Sequence, residues 1–176
     1  MRRLYRLLML VSFIGMLPGC APLDTPPAGS VFEDENIEKQ AISLINSRHT
    51  GTVYVNVTCF NRRLLLTGEV PSDVSKSEIE KIVSGVANVK AISNELVVGN
   101  IRGIALRTSD SFVTSDVKFR FVNEGAFHTS KVKIITENGT VFLMGSVNRK
   151  EAASAAELAS TTKGVQRVVM LFEYLD

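Results

Sequence analysis

Apolar and polar positions alternate through residues 131–145, KVKIITENGTVFLMG, with one break at Asn138-Gly139. Period-two alternation marks strands, and Asn-Gly between two such runs predicts a two-residue type I′ hairpin. The turn pairs Thr136 with Val141 and Ile134 with Leu143 on one face, with Val132 on the same side. That face is aliphatic and β-branched, so it is the expected core face. The opposite face carries Lys133, Ile135, Glu137, Thr140, Phe142 and Met144, which leaves three large apolar groups over. Residues 55–68, VNVTCFNRRLLLTG, repeat this pattern without a gap and turn at Asn61-Arg62. The chain therefore reads as a duplicated unit.

Helical periodicity brackets each hairpin. Ile37, Ala41 and Ile45 form an i, i+4, i+8 stripe behind Asp34, an expected N-cap. A second helix is predicted from Pro71-Ser72 with Ile79, Ile82 and Val83 inward, followed by a third strand over 89–98. The second copy repeats the order. Asp110 is its N-cap candidate, Val113, Val117 and Phe121 its stripe, and Asn148 the cap of RKEAASAAELAS. Gly164-Val165-Gln166-Arg167-Val168 restarts the chain into a last strand over 168–174. The expected class is α+β: two tandem αββαβ units, 34–98 and 110–176, each a three-stranded sheet packed against two helices. Residues 99–109, with two glycines and little periodicity, are the expected linker.

The front of the chain follows different rules. Residues 1–6 are basic, and residues 7–17 form an apolar run of signal-peptide length, short for a membrane span. The run ends in Leu17-Pro18-Gly19-Cys20. This resembles the lipobox of bacterial lipoproteins, which implies removal of residues 1–19. It also implies diacylglyceryl transfer to the Cys20 thiol and acylation of the new amine, with palmitate as a typical chain. Buried acyl chains at about 0.8 kcal/mol per CH₂ would hold the protein permanently. By the same resemblance, Ala21 rather than Asp after the Cys implies the outer membrane, with the protein facing the periplasm. Residues 20–33 hold Pro22, Pro26, Pro27 and Gly29 and read as a semi-extended tether.

Composition narrows the function. The formal charge is +2 over 176 residues, and loss of Arg2, Arg3 and Arg6 with the leader takes it to −1. No basic excess remains for nucleic acid, so attraction to anionic surfaces must be local. No catalytic constellation, metal site or cofactor loop is expected. His49 and His128 lie in short polar segments and read as solvated loop residues. Cys59 falls opposite Leu64 on the Val57 and Leu66 face and reads as a small buried hydrophobe.

One helix departs from the repeat. On a wheel at about 100° per residue, Val113, Val117 and Phe121 occupy one arc, and Phe112, Phe119 and Val122 another roughly opposite. Lys118 flanks the second arc, and Arg120 lies nearer the core edge. The first copy has Asn36, Ser43 and Asn46 at the matching positions. A second apolar flank on a half-exposed helix needs a partner. Three remain open: a lipid surface drawn in by Lys118, Arg120 and Lys131, the other copy, or a protein.

The αββαβ order, the strand-turn-strand runs ending in LLLTG and VFLMG, and the Gly-Val-x-x-Val restart resemble the BON domain. Two such units behind a lipobox resemble the dual BON-domain outer-membrane lipoproteins. The first copy has Asn-Arg where Asn-Gly is usual, and Asn88 where the second has Gly164. The resemblance implies a non-enzymatic protein that supports outer-membrane integrity and can gather at division sites. It also implies binding of anionic phospholipid headgroups by the first helix of the second unit. The expected lipid-contact set is Phe112, Val117, Lys118, Phe119, Arg120 and Val122, with Asp116 standing where a basic residue is usual. The alternative is a periplasmic scaffold or stress-response module. It would dock envelope proteins on the same apolar faces, including that of Ile135, Phe142 and Met144.

Overall fold

The computed structural model describes residues 28–101, 104–124 and 131–175. The leader, Cys20 and His128 lie outside them. The first unit is α1 (Ala28–Arg48), β1 (Tyr54–Phe60), β2 (Arg63–Val70), α2 (Asp73–Ser84), β3 (Ala91–Asn94) and β4 (Val97–Val98). The second is α3 (Ile104–Glu124), β5 (Val132–Glu137), β6 (Thr140–Val147), α4 (Arg149–Ser160) and β7 (Arg167–Tyr174).

Both hairpins have the predicted register, with Cys59 opposite Leu64 and Ile134 opposite Leu143. Asn61, Arg62, Asn138 and Gly139 all have positive φ, as a type I′ turn demands. In each unit the third strand pairs parallel to the second hairpin strand, which becomes central. The first unit breaks that strand at Glu95-Leu96, because Leu96 turns into the core. Ser72 caps α2, and Asn148 with Glu151 forms a capping box on α4.

The helices cover one face of each sheet. Ile37, Ala41 and Ile45 of α1 pack with Leu64, Leu66, Ile79 and Val83. Val113, Val117 and Phe121 of α3 pack with Val141, Leu143, Ala155 and Phe172. The other two sheet faces meet each other: Leu65, Phe142 and Met144 are buried together, with Phe60, Ile135, Val169 and Leu171 against them. The molecule is thus four layers, helices, sheet, sheet, helices. Polar contacts ring the junction. Lys133 Nζ donates to the Cys59 carbonyl at 2.7 Å, and Asn56 Nδ2 to Glu137 at 3.0 Å. Arg107 stacks on the Tyr54 ring at 3.4 Å and lies 3.9 Å from Glu69.

Two boundary expectations change, and two expected caps with them. Helix α1 starts at Ala28, inside the expected tether, and α3 at Ile104, inside the expected linker. Asp34 and Asp110 are therefore not N-caps but lie within their helices, and both are buried. Each points across to its own hairpin. Asp34 accepts from the Asn61 and Arg62 amides at 2.8 Å each. Asp110 accepts from Asn138 at 2.8 Å and Gly139 at 2.9 Å. A carboxylate takes two orphan turn amides at once, and such charge-assisted bonds are the stronger kind. That is why an acid sits at this position in both copies.

Candidate functional site

The outward flank of α3 carries the departure seen in the sequence. The inner positions Val113, Val117 and Phe121 take the sheet, and this fixes the rotation of the helix. Phe112, Phe119 and Val122 are then forced outward, and they are 69%, 66% and 64% exposed. Lys118 beside them is exposed as well. Three large apolar groups on one flank of a single helix are unusual on a soluble surface, where such residues are normally scattered. The intramolecular option is closed for this flank, because the two units meet through their sheets.

Two members of the expected contact set do not reach this surface. Val117 is fully buried in the core of the second unit, because it shares the inward arc with Val113 and Phe121. Arg120 turns inward too. Its Nη1 donates to the Leu158 carbonyl and to Thr161 Oγ1, each at 2.8 Å, and its Nη2 lies 3.0 Å from Glu124. It ties α3 to the end of α4, and Glu124 offsets its charge. The sheet face of Ile135, Phe142 and Met144 is likewise no docking site, since the first unit covers it.

Cys59 is buried and unpaired by disulfide, and its thiol donates to Asp34 at 3.2 Å. Burial, reinforced by the Asp34 carboxylate, pushes that thiol far above its ordinary value. A thiol held protonated and enclosed is a poor nucleophile. His49 is not the solvated loop residue expected: its side chain is only 10% exposed, and Nε2 lies 3.6 Å from Glu78. The loop after α1 folds it back toward α2, which alternation in the sequence could not signal. Among the described residues no group of three or more His, Cys, Asp or Glu could hold a metal ion. No described helix is long and apolar enough to cross a membrane.

The chain is similar in sequence to several known proteins. The chain is 34% identical over 155 residues to the outer membrane lipoprotein DolP of Haemophilus influenzae, covering 87% of this chain and 80% of that one. It is 29% identical over 157 residues to the 21 kDa hemolysin of Actinobacillus pleuropneumoniae, covering 88% and 81%. The osmotically-inducible protein Y of Escherichia coli is 26% identical over 147 residues, covering 80% and 72%. Among solved structures, CdsD, a structural protein of the type III secretion system of Chlamydia trachomatis, matches at a TM-score of 0.33 and 17% identity, covering 82% and 92%. The BON domain model matches residues 33–100 and 109–176, one match on each unit described above. With both matches and a relative above 30% identity across most of its length, this chain belongs to the BON-domain family.

Proposed function

We propose that this chain is a non-enzymatic lipoprotein of the outer membrane. It is held by acyl chains on Cys20, faces the periplasm, and touches anionic phospholipid with its second unit. The observation that carries the lipid contact is the exposed flank of Phe112, Phe119 and Val122 on α3. Likeness to a relative named as an outer membrane lipoprotein supports the anchor and its location. The role in envelope integrity, with enrichment at division sites, is supported by the family resemblance alone.

The energetics suit a tethered contact. Each buried Phe or Val is worth about 1.5–3 kcal/mol relative to exposure, before the cost of association. Such a contact is weak for a free chain and sufficient for one already tied to lipid, because the anchor supplies a high local concentration. Lys118 adds an electrostatic component of about 1 kcal/mol at an anionic leaflet.

Binding of the unacylated mature chain to phosphatidylglycerol micelles tests this. Phe119→Ser is expected to weaken it roughly tenfold, the loss of one buried aromatic, with unchanged thermal stability. Equal binding by the variant removes α3 from the site. Salt should weaken the wild-type contact as the Debye length shrinks. An affinity indifferent to salt removes Lys118 from the contact and leaves the apolar flank alone to carry it.

A further inference from the structure

A second exposed apolar group lies at the start of α1, where Phe32 is 67% and Val31 47% exposed. Hydrogen bonds and an ion pair fix what stands beside it. Glu33 lies 4.0 Å from Arg62, and Asp34 holds the Asn61-Arg62 turn. Asn61 Nδ2 in turn donates to Glu173 at 2.7 Å. The next residues, Tyr174 and Leu175, are 41% and 65% exposed. So the first turns of α1 and the end of β7 share one end of the four-layer sandwich. Basic residues stand nearby: Arg149 stacks 4.7 Å over the Tyr174 ring, Arg62 sits in the turn, and the backbone amide of Lys90 donates to the Arg62 carbonyl at 2.8 Å.

The flank of α3 reaches the same end from the opposite outer layer. Asp110 meets Asn138 and Gly139, and Thr114 meets Thr136, so α3 descends β5 antiparallel. Its later residues, Phe119 and Val122, therefore lie toward the beginning of β5. That is also where β6 and β7 end, with Val147 paired to Tyr174.

Reach decides the pose. Layers about 10 Å apart put the axis of α1 about 35 Å from a lipid surface lying flat against the outer flank of α3. Eight residue steps from Cys20 to Ala28 span about 29 Å at most. A flat pose on α3 alone is therefore out of reach for a chain acylated at Cys20. Tipping the shared end toward the lipid shortens the path and lowers Phe32, Val31 and Leu175 onto the surface.

We infer that the lipid-facing surface of this protein spans both units and includes Val31, Phe32, Tyr174 and Leu175 at the end where α1 begins and β7 finishes. The occupant is the bilayer that holds the acyl chains. The inference rests on the Cys20 anchor proposed above, and it assigns the first unit a lipid contact of its own.

The test uses the acylated mature chain in nanodiscs of phosphatidylglycerol and phosphatidylethanolamine doped with a headgroup spin-labelled lipid. Amide NMR signals broadened by the label mark the surface. Broadening at residues 31–33 and 174–175 together with the α3 flank is the expected result. In Phe32→Ser/Leu175→Ser it should fall by at least half at that end and persist on α3. Broadening confined to α3 overturns the inference and leaves the second-unit contact standing. Broadening confined to the end sustains the inference and overturns the α3 contact. Broadening at neither overturns both.

Discussion

On their inner sides α1 and α3 are the same helix used twice. Each places three apolar residues four apart against its sheet, and each sends an aspartate across to cap its own hairpin turn. On their outer sides they diverge. Helix α1 shows Asn36, Ser43 and Asn46 where α3 shows Phe112, Phe119 and Val122. Ile42 and Leu44 of α1 are part-exposed, but two positions apart they point to different sides. The difference teaches that the inward stripe and the aspartate are requirements of the fold, while the outward flank is free to specialise. In the second unit it has specialised toward an apolar surface.

The glycines that end each hairpin give the sharpest way to strain the comparison. A Cβ on Gly68 would run into the Tyr54 carbonyl, and one on Gly145 into the Lys131 carbonyl. Gly68 also has φ +120°, which an L side chain rarely adopts. Gly145→Ala is expected to cost about 2 kcal/mol, and Gly68→Ala about 3–4 kcal/mol. Urea denaturation reads both, and equal costs would show that φ is not what separates them. Next come the aspartates. Asp110→Ala leaves two turn amides without their carboxylate and is expected to cost about 3 kcal/mol. Asp34→Ala should match it within about 1 kcal/mol, if the two caps are equivalent.

Cys59 distinguishes the units at high pH. Its thiol keeps its proton longer in the folded chain than in the unfolded one, because burial and Asp34 disfavour the thiolate. The stability this gives is complete below the unfolded value and is lost as pH rises past it. Above roughly pH 8.5 the free energy of unfolding should fall by up to ~1.4 kcal/mol per pH unit from this group. Denaturation of wild type and Cys59→Ala at pH 8 and pH 10 isolates that slope, and identical slopes would refute it. The smallest effect concerns the turns. Arg62 holds φ +63°, where the second unit has Gly139 at +66°. Arg62→Gly relieves that strain and should stabilise the first unit by about 0.5–1 kcal/mol in the same assay. Asn88 is the counterpart of Gly164, at φ +67° and +90°, and asparagine tolerates this region better than arginine does.

Much was legible in the chain alone. Alternation about Asn138-Gly139 and Asn61-Arg62 fixed both hairpins and their register, because a one-residue slip would turn every side chain to the wrong face. Periodicity in the helices identified the inner stripes, and what remained on α3 identified the unusual flank. The cap at Asn148 and the start of α2 near Pro71-Ser72 were equally local. The wheel placed Arg120 at the core edge, but not its choice of the Leu158 carbonyl and Thr161 over solvent. Nor could it show that Asp34 and Asp110 cap a turn 27 or more residues away. The mixed sheet face of Ile135, Phe142 and Met144 looked like a docking site, and only the fold revealed that Leu65 and Phe60 of the first unit cover it. Sequence periodicity reports which side of an element is apolar, since that depends on neighbours three or four residues away. Which apolar sides meet each other depends on partners distant in the chain, and only the tertiary structure decides that.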